Sequence, residues 1–110
     1  MDGLAGGWII VFITVSNTEE GIRIARTIVG EKLAACVNIV DNVRSIYWWE
    51  GRVEESDEAI LIVKTRVELF NKLVERVREL HSYSVPEIIA LPILTGYREY
   101  MDWLDSSVSK

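Results

Sequence analysis

The strand-like runs of this chain are apolar on both faces. Trp8-Ile9-Ile10-Val11-Phe12-Ile13, Ala35-Cys36-Val37-Asn38-Ile39-Val40, Ile60-Leu61-Ile62-Val63 and Ile88-Ile89-Ala90-Leu91 barely alternate, whereas a half-solvated sheet shows period-two alternation. Only two long helical patterns accompany them, enough to shield one face of a small sheet. Something has to cover the other face, and another copy of the same chain is the economical candidate. The pattern predicts an obligate oligomer in which Ile10, Phe12, Leu61 and Val63 lack intrachain cover on one side.

At 110 residues the chain has room for a single core. Residues 8–110 read as one domain, and residues 1–7, without a basic leader region or a cleavage site, read as a short flexible tail. The formal charge of -5 argues against a nucleic-acid partner, which would meet a clustered basic surface. No apolar run approaches the roughly 20 residues that span a bilayer, so no membrane partner is expected. A single cysteine excludes an intrachain disulfide and fits a reducing compartment, with the cytoplasm as the default. The chain has no glutamine and four asparagines, a weak compositional mark of thermostability.

The first strand, near Trp8 to Val15, runs into Ser16-Asn17-Thr18-Glu19. Ser16 with Glu19 reads as a capping box. The helix that follows carries Ile22, Ala25, Val29 and Leu33, widened by Ile24 and Ile28, at helical intervals. Strand character resumes at Ala35 and runs to about Trp49, with a bend or bulge at Asp41-Asn42 and a tight turn at Glu50-Gly51. The return strand passes through Glu54-Glu55-Ser56-Asp57-Glu58, so polar a stretch that the hairpin tip should project from the domain. Thr65 with Glu68 reads as a second capping box, before a helix whose inner face is Phe70, Leu73, Val74, Val77 and Leu80. A last long strand is expected from Glu87 to Leu94, at an edge because Pro92 lacks a ladder donor. A short terminal helix holds Tyr97, Tyr100, Met101, Trp103 and Leu104. The order β-α-β-β-α-β plus a terminal helix is an α+β, ferredoxin-like plan: an antiparallel sheet with two helices on one face.

Three stretches and the C-terminus share one further resemblance. Glu31-Lys32-Leu33-Ala34-Ala35-Cys36-Val37-Asn38-Ile39 joins the first helix to the second strand. Ser45-Ile46-Tyr47-Trp48-Trp49-Glu50-Gly51-Arg52-Val53-Glu54 makes the hairpin. His81-Ser82-Tyr83-Ser84-Val85-Pro86-Glu87-Ile88-Ile89-Ala90-Leu91-Pro92-Ile93 leads into the last strand, and Tyr100-Met101-Asp102-Trp103-Leu104 closes the set. In order and spacing they resemble the CutA family of divalent-cation tolerance proteins over nearly the whole chain after residue 8. The resemblance implies a homotrimer, similar in plan to PII-type signalling proteins, with sheets inward and helices outward. It also implies a link to tolerance of copper and other divalent cations, with no obligatory cofactor. Some family members carry a second cysteine in the first strand and a histidine pair after the second helix; here Ile13 and Leu80-His81 stand at those places.

Cys36 is the only thiol and His81 the only imidazole, so they are the candidate metal ligands. Cys36 also reads as a small buried hydrophobe, the favoured reading because nothing basic lies near it in sequence. His81, at the end of the second helix, could equally complement the helix dipole. One His and one Cys cannot fill a tetrahedral site within one chain, so metal binding is expected to be weak. Tyr47, Trp48 and Trp49 read as interface anchors, or alternatively as walls of a ligand cleft between subunits. Trp49, Glu50, Lys64, Tyr83 and Glu87 form the candidate binding set, with Glu87 the expected partner of Lys64.

The leading functional expectation is a trimeric regulatory protein of divalent-cation and copper homeostasis. The alternatives are a PII-like ligand sensor or a protein-anchoring scaffold. An acylphosphatase-like enzyme is disfavoured, because the turn after the first strand, Val15-Ser16-Asn17-Thr18-Glu19-Glu20, is acidic and lacks the anion-cradling arginine. An RNA-recognition domain would need stacking aromatics on a basic sheet, and this sheet is aliphatic.

Overall fold

The computed structural model describes residues 7–110. Among these, the strands are β1 (Trp8–Val15), β2 (Cys36–Trp49), β3 (Arg52–Arg66) and β4 (Ile88–Pro92), and the helices are α1 (Thr18–Gly30), α2 (Phe70–Leu80) and α3 (Arg98–Ser106). A single 3-10 turn, Val67–Leu69, leads into α2. The sheet is antiparallel in the order β2-β3-β1-β4. This is the ferredoxin-like α+β plan expected from the element order. The tail expected over residues 1–7 lies outside the described residues except for Gly7, whose carbonyl accepts from the Val67 N–H at 2.6 Å.

Strand alternation divides the side chains between two faces. Ile9, Val11, Ile13 and Val15 of β1 join Ala59, Leu61 and Val63 of β3 beneath Ile24, Ile28, Leu73 and Val77 of the helices. Leu61 and Val63 are therefore fully buried within the chain, against the expectation that they lack cover. Ile60 and Ile62 take the uncovered side instead, opposite Thr14 and Phe12. The buried stripe of α1 runs through Gly21, Ile24, Ala25 and Ile28; Val29 is exposed and Leu33 lies beyond the helix. Gly21 sets how closely α1 approaches the sheet: a Cβ there would lie 3.0 Å from Leu61 Cδ2 and 3.2 Å from Val15 Cγ2.

Of the two expected capping boxes, the first shifts by one residue and the second does not form. Asn17, not Ser16, caps α1, its side chain accepting from the Glu20 N–H at 2.8 Å. Glu20 takes the place expected for Glu19 and reaches back to the Ser16 N–H at 3.0 Å. Ser, Asn and Thr in succession all suit an N-cap, so local sequence did not single one out. Thr65 caps nothing: it is buried in β3 and donates to the Leu33 carbonyl at 2.7 Å. The bulge falls where expected, with the β2–β3 register shifting between Val40 and Val43 and Asn42 at φ 58°. The two-residue turn Glu50-Gly51 has both residues at positive φ, 51° and 79°, the geometry that matches strand twist in a tight hairpin.

The second face is closed only at one end. Met101 and Leu104 of α3, with Val108, pack around Trp8, Ala35 and Leu69. Trp8 Nε1–H donates to Asp105 Oδ1 at 2.8 Å, and Arg66 donates to the same oxygen at 2.9 Å while its guanidinium lies 5.0 Å from the Trp8 ring centre. Beyond that end, Ile10, Phe12, Ile60 and Ile62 are only half-buried, and Val40, Ile89 and Leu91 are exposed. β4 is shorter than expected, ending at Pro92, but it occupies an edge as proline demands. The β2–β3 ribbon extends past the helices and lengthens the molecule to 48 Å against 26 and 23 Å.

Candidate functional site

Past the bulge, the β2–β3 register pairs Val43 with Glu58, Ser45 with Ser56, Tyr47 with Glu54 and Trp49 with Arg52. Directly opposed residues share a face, so Tyr47, Trp49, Ser56 and Glu58 lie on the uncovered side, and Trp48 with Val53 on the other. The loop after α2 comes up beside this ribbon. Between them lies a cleft of about 650 Å³, lined among others by Thr14, Tyr47, Trp49, Glu58, Tyr83 and Glu87.

Two buried groups hold the loop in place. Glu20 Oε1 accepts from the Ser16 hydroxyl at 2.7 Å as well as the Ser16 N–H, and its Oε2 accepts from the Ser82 N–H at 2.7 Å. Burial works against its charge, but these hydrogen bonds outweigh that and bring its pKa down to about 2. His81 lies with Nε2 2.7 Å from the Thr14 carbonyl, and its Nδ1 accepts from the Tyr83 N–H at 3.0 Å. A carbonyl can only accept, so the imidazole is the neutral Nε2–H tautomer. Tyr83 then reaches across the cleft and donates to Glu58 Oε2 at 2.5 Å. Burial, together with that carboxylate, pushes the Tyr83 phenol up, well above its ordinary range. Tyr47 is pinned as well, its hydroxyl 2.7 Å from Ser56 Oγ.

Three members of the expected binding set, Trp49, Tyr83 and Glu87, line this cleft. Two do not. Glu50 sits in the hairpin turn. Lys64 lies near the opposite end of β3 and donates to Asn38 Oδ1 at 2.6 Å, so its partner is Asn38 and not Glu87. Glu58 was missed because in sequence it is one more charge of a polar stretch, and its partner Tyr83 lies 25 residues away. Glu20 was missed because a charged residue on an amphipathic helix normally reads as solvated.

Cys36 and His81 are not brought together. Cys36 is half-exposed on the uncovered face, directly opposite Lys64, so a basic group lies near the thiol in space although none does in sequence. His81 is bound at the Thr14 row, four residues along β1 from the Ile10–Lys64 pair, about 13 Å at the strand rise. Its two nitrogens are already engaged. Among the described residues no three His, Cys, Asp or Glu side chains converge as a metal site would require. A second groove of about 750 Å³ runs along α2, but Arg76 in its lining is engaged by Glu31 and Glu79.

A family model described as CutA1 divalent ion tolerance protein matches residues 9–107. The divalent-cation tolerance protein CutA of Thermus thermophilus is 56% identical over 95 residues, which is 86% of this chain and 92% of that protein. The chloroplastic protein CutA 1 of Oryza sativa is 52% identical over 99 residues, 90% of this chain but 56% of that protein. The chain thus spans little more than half the length of that plant relative. Solved structures agree: the crystal structure of CutA1 from Oryza sativa superposes with a TM-score of 0.92 at 50% identity, covering 94% of both chains. The CutA of Archaeoglobus fulgidus, described as periplasmic, gives 0.90 at 43% identity over 93% of this chain and 99% of its own.

Proposed function

The chain belongs to the CutA1 divalent ion tolerance family, and on that premise we propose that it acts as a homotrimeric regulatory protein in divalent-cation homeostasis, copper included. The observation that supports this most is the uncovered side of the sheet. Ile10, Phe12, Ile60, Ile62, Ile89 and Leu91 form a continuous apolar surface that the chain's own helices leave open, and burying what remains exposed of each adds a share of the roughly 1.5–3 kcal/mol that full burial of such a side chain contributes. Copies packed sheet to sheet would bury it. Residues 8–110 act as one domain in this reading, and of the expected anchors Tyr47, Trp48 and Trp49 on the projecting ribbon, Trp48 is available to a neighbouring subunit while Tyr47 and Trp49 turn to the cleft.

Metal binding in this proposal is weak. The donors of one chain do not fit a dedicated site: His81 would first have to release Thr14 and Tyr83, and among the described residues Cys36 belongs to no cluster of three such donors. Surface carboxylates, abundant in a chain of net charge -5, then contribute as much as either. We read the chain as a binding protein rather than an enzyme, since the turn after β1 holds the Glu20 carboxylate where an anion cradle would need positive charge. No helix among the described residues is long and apolar enough to cross a membrane, and the single cysteine supports a reducing compartment such as the cytoplasm. The cleft beside the ribbon favours a second, compatible reading as a small-ligand sensor.

Native mass spectrometry with and without copper tests the proposal. A species of three 12.6 kDa chains is expected, with copper lost readily on dilution and largely retained by Cys36→Ala and His81→Ala. Tight, stoichiometric copper abolished by Cys36→Ala alone would replace it with a thiolate copper site.

A further inference from the structure

The chemistry of the cleft wall selects for one kind of ligand. Its lining contains two carboxylates, Glu58 and Glu87, and three aromatic side chains, Tyr47, Trp49 and Tyr83, and it contains no lysine, arginine or histidine. Glu87 makes no ion pair among the described residues, and Glu58 uses only Oε2, for Tyr83, leaving Oε1 without a protein partner there. The arginines of the ribbon do not neutralise this charge. Arg44 is engaged with Asp57 and Glu55, and Arg52 with Glu54. The aromatic members are held in place before any ligand arrives: Tyr47 by Ser56, and Tyr83 by Glu58 and by the His81 ring, whose centroid lies 4.8 Å away. Trp49, half-exposed, has no polar partner among the described residues.

We propose that this cleft binds a small organic ammonium cation, held between the aromatic rings of Tyr47, Trp49 and Tyr83 and the carboxylates of Glu58 and Glu87. Negative charge beside aromatic walls is the arrangement that captures weakly hydrated cations, through cation–π attraction supplemented by ion pairing. A divalent metal ion fits poorly, because it calls for several oxygen ligands at short range, and this wall brings two carboxylates and three rings. The volume of about 650 Å³ lies in the range of sites for multi-atom ligands. The proposal rests on reading the cleft as a ligand site and names the ligand class for it.

The test uses the whole chain, isotopically labelled, with choline chloride as probe and its neutral tert-butyl carbon isostere as control, followed by nuclear magnetic resonance. Choline is expected to shift the Trp49 indole and the Ser84 and Glu87 amides, and the isostere to bind at least about tenfold more weakly. Glu58→Gln and Glu87→Gln should each weaken choline by about three- to tenfold while leaving the isostere unchanged. Glu87 is exposed and bears no side-chain bond among the described residues, so its variant reports binding without a folding effect. Equal shifts from choline and the isostere would leave the cleft a ligand site but overturn the ammonium assignment. Magnesium chloride shifting the same resonances and displacing choline at equal concentration would overturn it in favour of a metal site. A trimeric sample giving no shift with any of the three would overturn the cleft reading itself, while leaving the assembly untouched.

Discussion

Glu20 sits at a junction of three segments, and its charge matters to all of them. Its carboxylate takes hydrogen bonds from the end of β1 at Ser16 and from the loop at Ser82, with His81 Nδ1 3.7 Å away. Because the folded pKa is depressed to about 2 from the ordinary 4.5, the stabilisation is complete above pH 4.5 and is lost as the pH falls towards 2. Linkage puts it at roughly 2–4 kcal/mol. Glu20→Gln is expected to lower stability at neutral pH by about 2 kcal/mol, since a neutral amide offers one acceptor where the carboxylate offers two. The variant should also lose less stability than the parent between pH 4.5 and 2. Urea unfolding across that range measures both, and parallel acid limbs for the two proteins would remove Glu20 from this role.

The β2–β3 ribbon is the element on which most of the proposed function hangs. Its bulge at Asp41-Asn42, its turn at Glu50-Gly51 and its projecting polar stretch were all legible in the sequence, because each depends on local chemistry: a polar interruption, a glycine able to take positive φ, and charge too dense to bury. What was not legible depends on distant partners. Trp8 looks like any strand residue until Asp105, close to the other end of the chain, accepts its indole N–H, and Lys64 looks like a partner for Glu87 until the register places Asn38 beside it. The candidate cleft was legible in part: Trp49, Tyr83 and Glu87 all line it, whereas Glu58 looks like one more charge of the projecting stretch until Tyr83 reaches it from the loop after α2. The ribbon also separates two roles that sequence grouped together. Trp49 faces the cleft, whereas Trp48 stands on the opposite side at 73% exposure beside Val53. Trp48→Ala should therefore weaken assembly by about 2 kcal/mol or more, in the manner of an interface hot spot, while choline binding in the cleft stays unchanged. Sedimentation over a dilution series reads the first effect; a variant that dissociates no sooner than the parent would free Trp48 from the interface.

At the scale of the whole molecule, the balance of faces governs the reading. One side of the sheet is closed by α1 and α2 with side chains at essentially no exposure, and the other is closed only where α3 packs on Trp8. An apolar side left open on that scale is a surface that soluble monomers avoid. Folding and assembly should then be one event, so that no folded single chain accumulates. Analytical ultracentrifugation of the chain at micromolar concentration tests this most directly. A single folded species with the mass of three 12.6 kDa chains is the expected result, and a folded species with the mass of one chain would contradict it.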